Sequence, residues 1–157
     1  MQRRAFLTTA LAGSAYFVVT GRISAAEGSF EIARSDTEWR KLLTRDEYLV
    51  MRRGKTEDPY SSPLDKNYAR GTYHCKGCDL PVYSSATKFD SGTGWPSFWR
   101  PMKNAVGTMD DHRILRTLTE VHCRRCGSHL GHIFDDGPKP TGKRHCLNGI
   151  SLVFKAA

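Results

Sequence analysis

Beyond residue 26 no apolar run approaches the roughly 20 residues that a membrane-spanning helix needs, which excludes a polytopic membrane protein. Internal repeats are absent, and so is the composition of a disordered chain. Charged residues make up 25% and apolar residues 39% of the 157, the balance of one soluble domain. The five cysteines are an odd number, so they cannot all pair within the chain. Acidic residues are missing from the first 26 positions. Three of the 24 basic residues lie there, so the remainder carries 21 basic against 16 acidic groups, a moderate +5. Neither a basic stripe nor an aromatic RNA-binding motif accompanies that charge, so nucleic acid is not an expected partner.

The first segment is expected to be an address rather than structure. Arg3 and Arg4 precede Ala5-Phe6-Leu7 and a mostly apolar stretch to Val19, and Ser24-Ala25-Ala26 offers small residues for cleavage. Adjacent arginines followed by Phe-Leu suggest a twin-arginine export signal over residues 1–26. An uncleaved membrane anchor is the competing reading. Cleavage after Ala26 would leave one domain, residues 27–157, exported to a bacterial periplasm without stable membrane association. A twin-arginine route carries folded cargo, so metal could be loaded before export.

Ser35 with Glu38, and Thr44 with Glu47, have the spacing of capping boxes. They predict short helices over Thr37–Leu43 and Arg45–Arg52. Trp39, Leu42 and Leu43 would bury one face of the first, and Tyr48, Leu49 and Met51 one face of the second. Gly54 ends the signal. Residues 56–70 have two prolines and no periodicity, and read as an extended arm lying on the domain. From Gly71 the pattern changes to short strands between Gly, Pro and Asp turns. The expected strands are Gly71–His74, Leu80–Ser84, Phe98–Pro101, Val106–Asp110, Arg113–Thr119, Glu120–His122, His132–Phe134, His145–Leu147 and Ser151–Phe154. Such a series argues a mainly β fold, an antiparallel sandwich or barrel-like sheet with the helices outside.

Cys75-Lys76-Gly77-Cys78 and Cys123-Arg124-Arg125-Cys126 are two CxxC pairs. Two tight turns with sulfurs aimed at one ion make the tetrahedral shell of a structural zinc site. Iron would accept the same four thiolates, and cross-pair disulfides are the competing reading in an oxidising compartment. A bridge inside one CxxC would be strained and redox-active. Cys146 stands apart, between Arg144-His145 and Leu147-Asn148. Basic neighbours favour a thiolate, the nucleophilic form, although a lone cysteine is also a common small core residue. Upstream, His129 and His132 precede Asp135-Asp136. The run Lys88-Phe89-Asp90-Ser91-Gly92-Thr93-Gly94-Trp95-Pro96-Ser97-Phe98-Trp99 sets aromatics after a glycine-rich turn, Trp95 and Trp99 either as core or, on the loop, as a wall for a small apolar group. From these residues alone a cysteine-dependent enzyme is plausible and its reaction undefined.

In order, these motifs resemble the B-type methionine sulfoxide reductases: Cys-x-x-Cys; Lys-Phe-Asp-Ser-Gly-x-Gly-Trp-Pro-Ser-Phe; Cys-x-x-Cys-Gly-x-His-Leu-Gly-His-x-Phe-Asp-Asp-Gly-Pro; Arg-x-Cys-x-Asn. The match runs from about Trp39 to Phe154. The resemblance implies a β-tent-like fold of two twisted antiparallel sheets with short N-terminal helices. It implies one structural zinc ion on Cys75, Cys78, Cys123 and Cys126, away from the active site. It implies reduction of the R epimer of methionine sulfoxide, free or in oxidised proteins. Carried over by position, Cys146 resembles the nucleophile. His132, with His129, would position or protonate the sulfoxide oxygen. Arg144 would keep Cys146 ionised, Asn148 would orient substrate or water, and Asp136 would orient a histidine or an arginine. Trp95 would hold the S-methyl group, with Phe134 lining the same pocket.

One position departs from the pattern. Many members carry a cysteine between the glycines of the Ser-Gly-x-Gly-Trp loop, where it resolves the sulfenic acid. Here that residue is Thr93, and the other four cysteines are assigned to metal. The expectation is a one-cysteine cycle in a monomer, with a thioredoxin-like protein or another external thiol as reductant. A noncatalytic zinc module would account for the CxxC pairs but leaves Cys146 and the His-Asp-Asp run without a purpose. A thiol–disulfide exchange protein would use one CxxC, which the symmetry of the two pairs disfavours.

Overall fold

The computed structural model describes residues 30–112 and 117–157. The expected signal segment, the cleavage point and residues 113–116 of the expected strand Arg113–Thr119 lie outside the described residues. Both helices start where capping boxes place them. Ser35 and Thr44 each accept from the third helical N–H, and Glu38 and Glu47 reach back to the cap N–H. The helices are α1 (Asp36–Leu42) and α2 (Arg45–Arg53). Gly54 ends α2 in a left-handed conformation that a Cβ would strain.

The buried face of α1 corrects one expectation. Leu42 is 60% exposed, whereas Trp39 and Leu43 are buried. The helix stops at Leu42, and the extended backbone of Leu43 turns that next side chain inward instead. On α2, Tyr48, Val50 and Met51 are buried. Trp39 lies between the guanidinium groups of Arg34 and Arg52, at 4.9 and 4.7 Å from the ring centre.

Residues 55–70 form neither helix nor strand and lie over the domain as the arm expected for 56–70. Among the described residues nine strands follow: β1 (Gly71–Cys75), β2 (Pro81–Ser84), β3 (Lys88–Phe89), β4 (Ser97–Phe98), β5 (Val106–Asp111), β6 (Leu118–Cys123), β7 (His129–Phe134), β8 (Arg144–Leu147) and β9 (Leu152–Ala156). They make two antiparallel sheets. One has the order β2-β1-β9, the other β3-β4-β8-β7-β6-β5. The fold is mainly β, as expected. The break expected between Thr119 and Glu120 does not exist, because both pair within one strand, β6. The strand expected over Phe98–Pro101 ends at Phe98, ahead of a proline that has no N–H to give a ladder.

Tyr73 and Val82 of the small sheet, Phe98, Val121, Leu130 and Leu147 of the large sheet, and Trp39 and Met51 of the helices form one buried core. Tyr73 and Tyr83 pack on Phe98 with ring centres 4.9 and 4.7 Å apart. Truncating any of these aromatic side chains would cost about 3–5 kcal/mol. The core fixes one face of β8 and β7 and leaves the other available for chemistry.

Candidate active site and metal centre

Alternation along β8 sends His145 and Leu147 to the core and Arg144 and Cys146 to the opposite face. On the core side His145 Nδ1 is 2.9 Å from the Tyr83 hydroxyl, and burial holds its pKa down to about 4. On the other side Cys146 lies between two cross-strand partners, Ser97 of β4 and His132 of β7. Directly opposed residues have Cβ atoms about 4.5–5.5 Å apart, so His132 and Cys146 are immediate neighbours on this face. Phe134 is the partner of Arg144.

An irregularity in the β6–β7 pairing brings in the second histidine. Glu120 pairs with His132 and Val121 with Gly131, but His122 pairs with His129, so Leu130 is an extra residue in β7. Such a bulge flips the side-chain alternation. Leu130 enters the core with no exposed surface, and His129 returns to the face of His132. The two rings meet edge to face, with centres 5.2 Å apart.

A carboxylate stands beside each of these rings. His132 Nε2 is 2.8 Å from Asp111 Oδ2, and His129 Nδ1 is 3.1 Å from Glu120 Oε1. Both His129 ring nitrogens are buried with no hydrogen-bond partner among the described residues, so the Glu120 contact is one of charge proximity rather than a hydrogen bond. Arg144 donates in a two-pronged pair to Asp136, Nε to Oδ1 at 2.8 Å and Nη2 to Oδ2 at 2.9 Å. This pair holds the Asp136 carboxyl below its usual range. The planar group also lies over Phe134, 4.3 Å from the ring centre. Of the two alternatives expected for Asp136, a histidine or an arginine, the structure gives it the arginine.

Arg144 also faces the Cys146 thiol and favours its ionisation, as does the Thr93 hydroxyl. Burial opposes them and is the larger effect, so the Cys146 pKa stands above its ordinary value. Basic neighbours in the sequence therefore do not by themselves make a thiolate here.

The glycine-rich turn overhangs the thiol. Thr93 Oγ1 is 4.0 Å from Cys146 Sγ, and the hydroxyls of Thr93, Ser91 and Ser97 form a chain with 2.8 Å links. Gly92 and Gly94 have φ of +69° and +89°, conformations open to glycine, and they carry Thr93 over Cys146. Half-buried Trp95 donates its indole N–H to the Glu57 carbonyl at 3.1 Å. Asn148 is buried: its amide nitrogen donates to Leu130 O at 3.3 Å, and its oxygen accepts from Glu57 N at 2.9 Å. The structure thus brings His129, His132, Arg144 and Phe134 to one face with Cys146. Asp136 stands behind Arg144. Trp95 is tied through Glu57 to Asn148.

Three groups at this site escaped the sequence reading: Asp111, Glu120 and Glu57. Asp111 and Glu57 lie far from their partners along the chain and Glu120 nine positions from His129, and each became visible only through strand pairing or the path of the arm.

The two CxxC turns meet at the ends of two strands. Cys75 ends β1 and Cys123 ends β6, so the cluster joins the small sheet to the large one. The four sulfurs lie within 4.8 Å of one another, with 3.7 Å between Cys75 and Cys126 and 3.5 Å between Cys78 and Cys123. Tetrahedral Zn–S bonds of about 2.3 Å would place sulfurs about 3.8 Å apart. A disulfide requires about 2.05 Å, and none of the five cysteines is in one. The donor set fits a soft tetrahedral ion, and these four residues could hold a metal.

A family model, the SelR domain, matches residues 43–156. The chain is 47% identical over 135 residues to a peptide methionine sulfoxide reductase MsrB of Leifsonia xyli, covering 85% of this chain and 97% of that protein. An MsrB of Methanosarcina barkeri is 48% identical over 125 residues, covering 79% of this chain and 88% of that protein. A chloroplastic peptide methionine sulfoxide reductase B1 of Arabidopsis thaliana is 44% identical over 135 residues, covering 85% and 67%.

Proposed function

The chain belongs to the SelR-domain family of MsrB-type peptide methionine sulfoxide reductases, and from that premise we propose that it reduces methionine-R-sulfoxide to methionine with Cys146 as its single redox cysteine. The observation that carries this reading is the setting of Cys146. It is the one cysteine outside the metal cluster, with His132 directly across the ladder and Arg144 beside it.

The chemistry balances around that sulfur. Cys146 sulfur attacks the sulfoxide sulfur, the S–O bond breaks, and the oxygen passes to Cys146 as a sulfenic acid while methionine leaves. The buried thiol sits above its ordinary pKa, so its proton must leave as attack occurs. His132 and the open Nε2 of His129 are the groups placed to carry a proton to the sulfoxide oxygen. Arg144, held by Asp136 and Phe134, offsets negative charge on the sulfur. Trp95 and Phe134 supply the apolar wall for the S-methyl group, and Asn148 orients substrate or water.

Thr93 occupies the nearest loop position and cannot form an exchangeable bond to sulfur. Two external thiols therefore return Cys146 to its reduced state, releasing water and a disulfide. A thioredoxin-like protein or a small thiol fills that role, and the enzyme works as a monomer on free or protein-bound sulfoxide. Zinc on Cys75, Cys78, Cys123 and Cys126 supplies folding energy rather than chemistry. The paired arginines and small-residue site in the first 26 residues support export to a periplasm and a mature domain from Glu27. Repair of oxidised methionine there would draw its thiols from a membrane-linked relay.

The test follows each epimer of N-acetyl-methionine sulfoxide with dithiothreitol as reductant. Loss of the R epimer alone, abolished by Cys146→Ser, is the expected result. Turnover of the S epimer, or activity that survives Cys146→Ser, would refute the assignment.

A further inference from the structure

The arm before β1 does more than cover the sheet. Four hydrogen bonds converge on one of its residues, Glu57. Its carboxylate accepts from the backbone N–H of Gly149 at 2.5 Å and of Ile150 at 2.9 Å. Its own N–H donates to the Asn148 side-chain oxygen, and its carbonyl accepts the Trp95 indole N–H. Just after this residue the arm is pressed close against the site. Tyr60 N donates to Gly94 O at 2.7 Å, and Tyr60 hydroxyl donates to Gly92 O at 2.9 Å. A Cβ on Gly94 would meet Tyr60 N at 2.8 Å, and one on Gly149 would meet Ser62 Oγ at 1.9 Å.

The two residues that Glu57 joins, Trp95 and Asn148, are far apart in sequence, and their side chains bond to Glu57 rather than to each other. Both are tied to Cys146 along the chain: Trp95 follows the Gly92–Gly94 turn that overhangs its sulfur, and Asn148 follows Cys146 by two residues. We infer that Glu57 is a positioning residue for the reaction, a clasp that fixes the Trp95 indole and the Asn148 amide relative to the Cys146 thiol. This rests on the reading of Trp95 as substrate-facing and of Asn148 as a group that orients substrate or water. The carboxylate does not touch substrate. It anchors to the turn after β8, and so holds the backbone groups that grip the other two side chains.

Two consequences separate a clasp from a mere structural contact. Loss of the carboxylate weakens substrate positioning more than the thiol's own reactivity, so the KM rises and the rate of Cys146 alkylation by iodoacetamide stays near that of the wild type. The Glu57 carbonyl that accepts the Trp95 indole N–H is then no longer held in place by the carboxylate, so the indole N–H exchanges faster with solvent.

The experiment compares wild type, Glu57→Gln and Glu57→Ala in the full chain with its metal. Glu57→Gln keeps an acceptor oxygen and guards against a variant that does not fold. Steady-state kinetics on N-acetyl-methionine-R-sulfoxide are paired with the ¹H–¹⁵N resonance of the Trp95 indole, assigned by its loss in Trp95→Phe. The expected result is a fall in kcat/KM of roughly 10- to 100-fold in Glu57→Ala, carried mainly by KM. Glu57→Gln should be intermediate, and the Trp95 resonance should shift and exchange faster in step. An unchanged Trp95 resonance in a folded variant overturns the clasp, whatever the kinetics. So does a kcat/KM within about twofold of wild type in Glu57→Ala. A wild type inactive on both epimers would instead overturn the proposed function, and the Trp95 resonance would still decide whether Glu57 holds the indole.

Discussion

Replacing Arg144 by Gln should make Cys146 harder to ionise. The thiol is already above its ordinary value, because burial outweighs the guanidinium and the Thr93 hydroxyl. An ordinary thiol of pKa about 8.5 is roughly 3% thiolate at pH 7, and Cys146 holds less. Arg144→Gln removes the largest group that favours the thiolate. It also leaves the Asp136 carboxylate without its two-pronged partner, and that charge opposes ionisation of Cys146. Loss of an opposite charge at contact shifts a pKa by about 1–3 units. The midpoint for alkylation of Cys146 should therefore rise by at least about 1 unit, and alkylation at pH 7 should slow about tenfold or more. The assay is the pH dependence of iodoacetamide labelling, read by mass on the metal-loaded protein, with Cys146→Ser as the blank. Arg144→Lys keeps the charge but not the fork, so its midpoint should lie nearer wild type while reduction of sulfoxide still falls. A midpoint in Arg144→Gln equal to or below that of wild type would refute the reasoning and leave Arg144 with only its packing on Phe134.

Thr93→Cys should install an internal resolving thiol, since Thr93 Oγ1 already stands 4.0 Å from Cys146 Sγ and the flanking Gly92 and Gly94 allow the turn to close by about 2 Å. One equivalent of R-sulfoxide should then leave a disulfide between the introduced thiol and Cys146, seen as loss of two hydrogens by intact mass; persistence of a sulfenic acid would count against the geometry. Cys126→Ser should release the metal and unfold the domain, because structural zinc supplies about 10–16 kcal/mol in small sites against a total stability of about 5–15 kcal/mol. Circular dichroism and metal analysis would read both, and a metal-free variant with native melting would contradict the staple. His145, held to a pKa of about 4 by burial, is neutral when folded and charges on unfolding. Below pH 6.5 the unfolded chain binds more protons, so stability falls as pH drops from about 6.5 towards 4, by on the order of 2–3 kcal/mol. His145→Gln should remove that part of the slope in urea titrations, and an identical slope would reject it.

The local features were legible in the sequence because their causes are local. The capping pairs Ser35–Glu38 and Thr44–Glu47 and the left-handed Gly54 set the helices to within a residue. The two CxxC turns announced a four-sulfur cluster, and the collinear motifs announced the family. What was hidden depends on pairing across long separations. Asp111 reaches His132 over 21 positions, and Glu57 reaches Asn148 over 91. The inward turn of Leu43 in place of Leu42 follows from where α1 stops. The arrival of His129 beside His132 follows from a bulge that depends on β6 as much as on β7. Two-residue β3 carries too short a pattern to register as a strand at all.

The central claim is that Cys146 alone takes the oxygen from the R epimer. Its most direct test is a single turnover without reductant: metal-loaded protein, one equivalent of each purified epimer in turn, then dimedone and intact mass. The account predicts one dimedone adduct on Cys146 with the R epimer, none with the S epimer, and four cysteines still holding metal. An adduct elsewhere, an internal disulfide in the wild-type chain, or no modification with either epimer would contradict it.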